Sequence, residues 1–250
     1  MIEDQDSSKL FKENILKSNQ FNVDVDPESG EVFTFISQAK QKEINEKRRD
    51  AYLKNSGIPK EYWKFRFDNK DLEGQINISR SLILEGLDFI ENFTKKDTCL
   101  YLWGNENATG KTTLACAIAQ ELMLKGYSCF FSYAKTLIDN MMKLSGFNND
   151  EDSQYYIDKI KSSDIVVIDD IFDPNKSLYW NSKNNNVIIS EWDSIIRYCL
   201  NDNKKLILTS NKSRNEVEKL YSKDIASLLD RGFKFIEFKE SILDKRKKTL

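Results

Sequence analysis

The chain of 250 residues contains no histidine, and its four cysteines, Cys99, Cys116, Cys129 and Cys199, are scattered with no C-x-x-C pair. Those two absences exclude the usual zinc spacings. Three of the cysteines lie inside apolar runs and are expected as small core residues. No apolar stretch approaches the ~20 residues of a membrane span, and the acidic N-terminus lacks an apolar signal core. A cytoplasmic, reduced protein without a membrane is expected. A strong charge of one sign is missing too. The net charge is −2, so no global basic field advertises nucleic acid.

Charge is instead distributed by segment. Residues 1–31 are acid-rich, residues 40–70 lean basic, and the chain ends with Lys245-Arg246-Lys247-Lys248. Such runs are mostly solvated faces. With 40% hydrophobic and 31% charged residues, the composition allows a sizeable core.

The first part of the chain is expected to be a small helical appendage. Leu10, Phe11, Ile15 and Leu16 give residues 7–20 one apolar side, which suits docking on a partner as well as packing within the chain. NVDVDPESGE follows as a turn-rich acidic break. Residues 36–55 resemble a highly charged helix that stops at the NSGIP turn. From residue 80 onward strand and helix patterns alternate. The short apolar runs are CLYLW, YSCFFS, IVVIDD, KLILTS and FKFIEF, and helical spacings lie between them. Strands separated by helices imply a parallel sheet covered on both faces, an α/β fold.

Gly110-Lys111-Thr112-Thr113 stands between the strand CLYLW and a helix, the setting in which a phosphate-binding loop has meaning. Backbone N–H groups of the loop and the helix N-terminus favour a phosphate there. Lys111 would reach the β- and γ-phosphates, and the Thr112 hydroxyl would ligand Mg²⁺. The spacing is irregular, because five residues separate Gly104 from Gly110 instead of four. Either one residue is inserted after Gly104, or Asn105 takes the first glycine's place, since Asn tolerates the left-handed region. Asn107, Ala108 and Thr109 complete the loop expected to hold the cofactor.

Three further elements follow in order. Ile165-Val166-Val167-Ile168 ends in Asp169-Asp170. Asp169 is placed to hold the Mg²⁺ hydration shell and Asp170 to orient the attacking water. Aspartate is shorter than the glutamate often found there, a reason to expect slow hydrolysis. Asn211, just past KLILTS, is placed to bond the same water or the γ-phosphate. In SLLDRGF, Arg231 would lie at a subunit edge and reach a neighbour's γ-phosphate, where such a finger is worth ~10³–10⁵ in rate; a surface ion pair is the competing reading.

The order NSGIPKEYWKFRFDN, YLWG…TGKTTLACAIAQEL, IVVIDDIF, LILTSN and SLLDRGF resembles the AAA+ ATPases of the DnaC/DnaI helicase-loader and IstB transposition-helper group, over about residues 50–240. The resemblance implies a P-loop AAA+ domain with a central parallel five-stranded sheet flanked by helices, over residues 61–240, after a docking segment and linker over 1–60 and before a basic tail over 241–250. It implies ATP and Mg²⁺ at Lys111, Thr112 and Asp169, water activation at Asp170, sensing at Asn211 and an inter-subunit finger at Arg231. It also implies an N-terminal segment that grips a replicative DNA helicase, and a core that assembles as a homo-oligomer on single-stranded DNA, with ATP favouring assembly and hydrolysis resetting it. The alternatives are an IstB-like helper of a transposase and a slowly hydrolysing, nucleotide-gated DNA-binding module. Without an arginine-rich lid after the loop, a small-molecule kinase is disfavoured.

The chain departs from the family pattern in its irregular loop and in lacking upstream cysteines. The C-terminal arginine is replaced by Leu243, with Arg246 close by. The segment 172–186 is longer than typical, and its Tyr179 and Trp180 beside Lys176 and Lys183 suit base stacking with phosphate contact or a loop folded on its own aromatics.

Overall fold

The computed structural model describes residues 21–25, 32–67, 78–95, 98–144, 151–174 and 185–239. The helix expected over 7–20, the aromatic loop at Tyr179 and Trp180, and the tail with Leu243 and Arg246 lie outside the described residues. The chain divides into two compact units, Met1–Ala51 and Tyr52–Leu250.

The first unit differs from the helical expectation. Strands β1 (Phe21–Val25) and β2 (Val32–Ile36) form an antiparallel pair with Phe21 opposite Ile36 and Val25 opposite Val32. Residues 22–25 of the stretch expected as an acidic turn are therefore strand instead. Phe-Asn-Val-Asp-Val alternates with the period of two of a half-buried strand, and Val-Phe-Thr-Phe-Ile consists of apolar residues around one threonine. Their β-branched and aromatic residues are the types that favour strands. Helix α1 (Gln38–Ser56) follows, the charged helix expected over 36–55.

The second unit is the expected α/β fold. After a 3₁₀ turn (Lys60–Tyr62) come α2 (Arg80–Glu91), β3 (Cys99–Trp103), α3 (Lys111–Leu124), β4 (Cys129–Tyr133), α4 (Ala134–Leu144) and α5 (Glu151–Ser162). They are followed by β5 (Ile165–Asp169), α6 (Asn185–Asn201), β6 (Lys205–Ser210), α7 (Arg214–Leu220), α8 (Lys223–Gly232) and β7 (Phe233–Glu237). The five strands form one sheet in the order β4-β5-β6-β3-β7, and every pairing is parallel.

The apolar strands are buried on both faces because the pleat sends alternate residues to opposite layers. Leu100, Leu102, Val167 and Ile207 join a core with Leu114, Ile118 and Leu122 of α3 and Phe89 of α2. Tyr101, Val166, Ile168, Leu206 and Leu208 face the other way, onto Leu137 of α4, Ile196 of α6 and Leu229 of α8. Each fully buried aliphatic side chain contributes about 1.5–3 kcal/mol of transfer free energy. All four cysteines are free and buried, one more than the three expected as core residues. Among the described residues, no helix is long and apolar enough to cross a membrane.

Candidate nucleotide-binding site

Strand order makes the site. From β3 the chain crosses through α3 to β4 at the far edge, and β5 and β6 fill the gap between them. A crevice outside the carboxyl ends of the strands opens where the order reverses in this way. The loop after β3, the acidic end of β5 and the end of β6 consequently meet at one edge.

The loop after β3 is held by backbone constraints that only particular residues satisfy. Gly104 donates its N–H to the Ser210 carbonyl at 3.2 Å. A Cβ on Gly104 would stand 2.3 Å from the Phe238 carbonyl oxygen. The glycine is therefore demanded by the close passage of the chain leaving β7. Ala108 (φ 62°) and Gly110 (φ 96°) are the left-handed positions of the loop, and Asn105 is not among the residues with positive φ. The reading in which Asn105 replaces a left-handed first glycine is thus corrected. The tight position belongs to Gly104, and the extra residue lies in the exposed stretch 105–108. Its Ala108 tolerates the left-handed region at some cost in strain.

Gly110 is the N-cap of α3 and offers no capping side chain, so no cap side chain competes for the N–H groups of the first turn. Lys111 is only 6% exposed. Its ammonium donates to the Gly104 carbonyl at 3.0 Å, the Glu106 carbonyl at 2.7 Å and Thr109 Oγ1 at 3.2 Å. The cation is thus held over its own loop by carbonyls. Thr113 follows, partly buried in the same first turn.

Across the crevice, the Thr112 hydroxyl donates to Asp169 Oδ1 at 2.7 Å. The Thr209 hydroxyl of β6 donates to that same oxygen at 2.6 Å. Thr209 also accepts the Asp170 N–H at 2.9 Å, and Asp170 has the left-handed φ of 59°. Asp169 is buried and Asp170 half-buried. Past β6, the Asn211 amide donates to Asn107 Oδ1 at 3.0 Å, joining the loop to the end of β6.

The segment after the 3₁₀ turn packs on α3. Fully buried Gln120 of α3 donates both amide hydrogens, to the Tyr62 carbonyl at 2.9 Å and the Phe65 carbonyl at 3.0 Å. Burial, then the negative charge of Asp169, pushes the Tyr62 phenol well above its ordinary pKa. The Tyr133 phenol at the end of β4 is raised by the same two causes in the same order.

Sequence reasoning thus named Gly104, Asn105, Asn107, Ala108, Thr109, Gly110, Lys111, Thr112, Thr113, Asp169, Asp170 and Asn211, and all of them sit at this edge. Arg231 does not. It is exposed at the end of α8, and it lines a cavity of about 410 Å³ with Asp88, Asn92, Thr98 and Lys234. Because Phe233 pairs with Cys99 and Glu237 with Trp103, Arg231 stands at the opposite end of the strands, roughly 17 Å away along five residues. Thr209 and Gln120 were missed. The signal for Thr209 was a hydroxyl near the end of an otherwise apolar strand. For Gln120 it was an amide in the apolar run of α3.

The donor set fits a nucleotide with Mg²⁺. Among the described residues no group of three or more His, Cys, Asp or Glu side chains could hold a metal alone. Thr112 and Asp169 instead offer two hard oxygens side by side. Mg²⁺ is commonly held in this way, by one or two protein oxygens together with substrate phosphates. Lys111 and the uncapped start of α3 would supply the positive potential for those phosphates.

The likenesses to known proteins agree. The chain is 25% identical over 119 residues to the replicative helicase loader DnaC of Buchnera aphidicola subsp. Baizongia pistaciae (strain Bp), which is 48% of this chain and 47% of that protein. The match thus spans about half the length of that relative. A solved DnaC helicase loader superposes with a TM-score of 0.55 at 22% identity, covering 72% of this chain and 99% of that one. The DnaI structure gives a TM-score of 0.54 at 20% identity, covering 73% and 95%. At these identities the structures establish the fold, that of the P-loop AAA+ domains. The model of an NTPase family described as Novel STAND NTPase 3 (nSTAND3) matches residues 86–249, well over half of the chain, and it is to that family that this protein belongs.

Proposed function

We propose that this protein is an ATP-dependent loader that places a replicative DNA helicase on DNA, with ATP hydrolysis controlling assembly and release. The observation that carries the reading is the similarity to a replicative helicase loader across 119 residues. The meeting of Lys111, Thr112, Asp169 and Asp170 at one sheet edge supports it.

In this reading Lys111 leaves its loop carbonyls to meet the β- and γ-phosphates, while the first turn of α3 presents its N–H groups to them. Thr112 and Asp169 hold Mg²⁺, which neutralises charge on the phosphate oxygens. Asp170 accepts the proton side of the attacking water and Asn211 holds that water or the γ-phosphate. The short Asp170 side chain makes turnover slow. Arg231, at the far end of the strands, serves the site of a neighbouring copy, so the active form is a homo-oligomer on ATP and single-stranded DNA. Residues 1–60 form the helicase-docking segment and linker, 61–240 the ATPase domain and 241–250 a basic tail, and the protein works in the cytoplasm.

The test is a pull-down with a replicative helicase, using the full chain and a variant lacking residues 1–35. Capture by the full chain and its loss on deletion is the expected result. Capture that survives deletion overturns the docking assignment. ATP-dependent filaments on duplex DNA without helicase affinity would instead favour a transposase helper. Equal turnover by wild type and Asp170→Asn would remove Asp170 from the mechanism and favour a nucleotide-gated binding module.

A further inference from the structure

Three consecutive residues at the end of β6 each bind a different part of the site. Thr209 bonds Asp169 and Asp170. Ser210 donates its hydroxyl to the Ile171 carbonyl at 2.7 Å and accepts the Gly104 N–H on its own carbonyl. Asn211 bonds Asn107 of the loop. Of the three, Thr209 is the one that touches both acids, and it is 1% exposed.

We propose that Thr209 is the positioning residue for the two aspartates, setting the direction of the Asp169 carboxylate with its hydroxyl proton and the placement of Asp170 with its lone pair. The inference rests on the nucleotide-hydrolysing reading of the site and adds a residue to it.

The proton balance requires a hydroxyl here. Asp169 Oδ1 accepts from Thr112 on the loop side and from Thr209 on the β6 side, so two fixed donors converge on one oxygen and define the orientation of the carboxylate. The Thr209 oxygen, its proton already given to Asp169, has lone pairs left for the Asp170 N–H. Asp170 adopts the left-handed region, where a non-glycine residue persists only if its surroundings over-determine it. Thr209 supplies that determination twice. Its side chain takes the N–H of Asp170, and its carbonyl takes the N–H of Ile171 at 2.9 Å. The direction in which the Asp170 carboxylate leaves the chain is therefore dictated from β6. Valine matches threonine in shape and can neither donate nor accept, whereas serine can do both.

The experiment compares full-length wild type, Thr209→Val, Thr209→Ser, Asp170→Asn and the double variant Thr209→Val/Asp170→Asn. Turnover of ATP, the Mg²⁺ dependence of ATP affinity, and amide exchange across residues 165–172 without nucleotide are measured on each. Thr209→Val is expected to lower kcat at least ~10-fold with ATP affinity in EDTA changed less than ~2-fold, as for an interaction felt mainly beyond the ground state. Its amides at 170–171 exchange faster, Thr209→Ser returns to within ~3-fold of wild type, and the double variant is no slower than Asp170→Asn alone, because the two residues act as a unit.

Thr209→Val with wild-type turnover, exchange and Mg²⁺ dependence overturns the inference. Failure of serine to rescue overturns it as well, and assigns the methyl group a packing role. A wild type that does not turn over ATP overturns the functional reading. Amide exchange and the Mg²⁺ dependence of affinity then decide the role of Thr209 without turnover.

Discussion

The Thr112 hydroxyl donates to Asp169 Oδ1 at 2.7 Å, joining the first turn of α3 to the end of β5. A hydroxyl and a carboxylate side by side, next to a buried lysine, are hard oxygens of the kind that would suit a phosphate-bound Mg²⁺. Thr112→Ala is expected to weaken Mg·ATP binding by about ten-fold or more, the equivalent of losing one interaction to a charged group of ~1.5–3 kcal/mol. Its affinity for ATP in EDTA stays near wild type. Isothermal titration under both conditions reads the difference, and an equal loss in both would assign Thr112 to the fold instead of the metal.

The loop anomaly makes its own prediction. Gly104→Ala brings a Cβ to 2.3 Å from the Phe238 carbonyl, an overpacking that costs about 1–3 kcal/mol because the obstacle is backbone. Exposed Asn105, by contrast, tolerates replacement by glycine within about 0.5 kcal/mol. Urea midpoints of the two variants check this order. A destabilised Asn105→Gly beside an unaffected Gly104→Ala would reverse the assignment of the tight position.

Much of the architecture could be read in advance, for physical reasons visible in particular residues. CLYLW, IVVID and KLILTS are apolar without alternation because their sheet is covered on both faces, and helices with clear stop signals separate them. Lys111 and Thr112 at a helix start and Asp169 at a strand end could be picked out as candidates because phosphate chemistry favours those residue types at those places. The pairing of β1 with β2 was obscured by the acidic residues 24, 26, 28 and 31, which mark a turn more strongly than the β-branched and aromatic residues beside them mark strands. The place of Asn105 could not be decided from sequence, because φ depends on what the chain meets in space. What Gly104 meets is Phe238, more than a hundred residues away. Thr209 and Gln120 escaped for the same reason, since their partners lie on other elements.

Gln120 is the buried tie between the P-loop helix and the chain that leads into the domain. Gln120→Leu removes the amide donor from the Phe65 carbonyl and leaves the Tyr62 carbonyl with the Phe65 N–H, a loss expected at about 1–3 kcal/mol. A lowered denaturation midpoint and earlier tryptic cleavage after Lys60, Lys64 or Arg66 are the expected outcomes. An unchanged midpoint with unchanged cleavage would show that the lead-in is held by its aromatic packing.

At the start of α7 Ser213 and Glu216 form a reciprocal capping box, with the Ser213 N–H donating to Glu216 Oε2 at 2.8 Å. That backbone bond is the main cause of a Glu216 pKa below the ordinary glutamate value. Because the folded value is depressed, the stabilisation is complete above the ordinary carboxylate range and is lost as pH falls through the folded pKa. The Tm difference between wild type and Glu216→Gln should be constant near about pH 7 and close on acidification below about pH 4. A difference that does not vary with pH would contradict the assignment.

In the proposed function, Lys111 and the start of α3 hold the phosphates of ATP. Equilibrium binding of ATP to wild type and Lys111→Ala, with far-UV circular dichroism to show that both are folded, tests it most directly. Saturable binding by wild type and none by a folded Lys111→Ala is the predicted result; equal binding by both would contradict it.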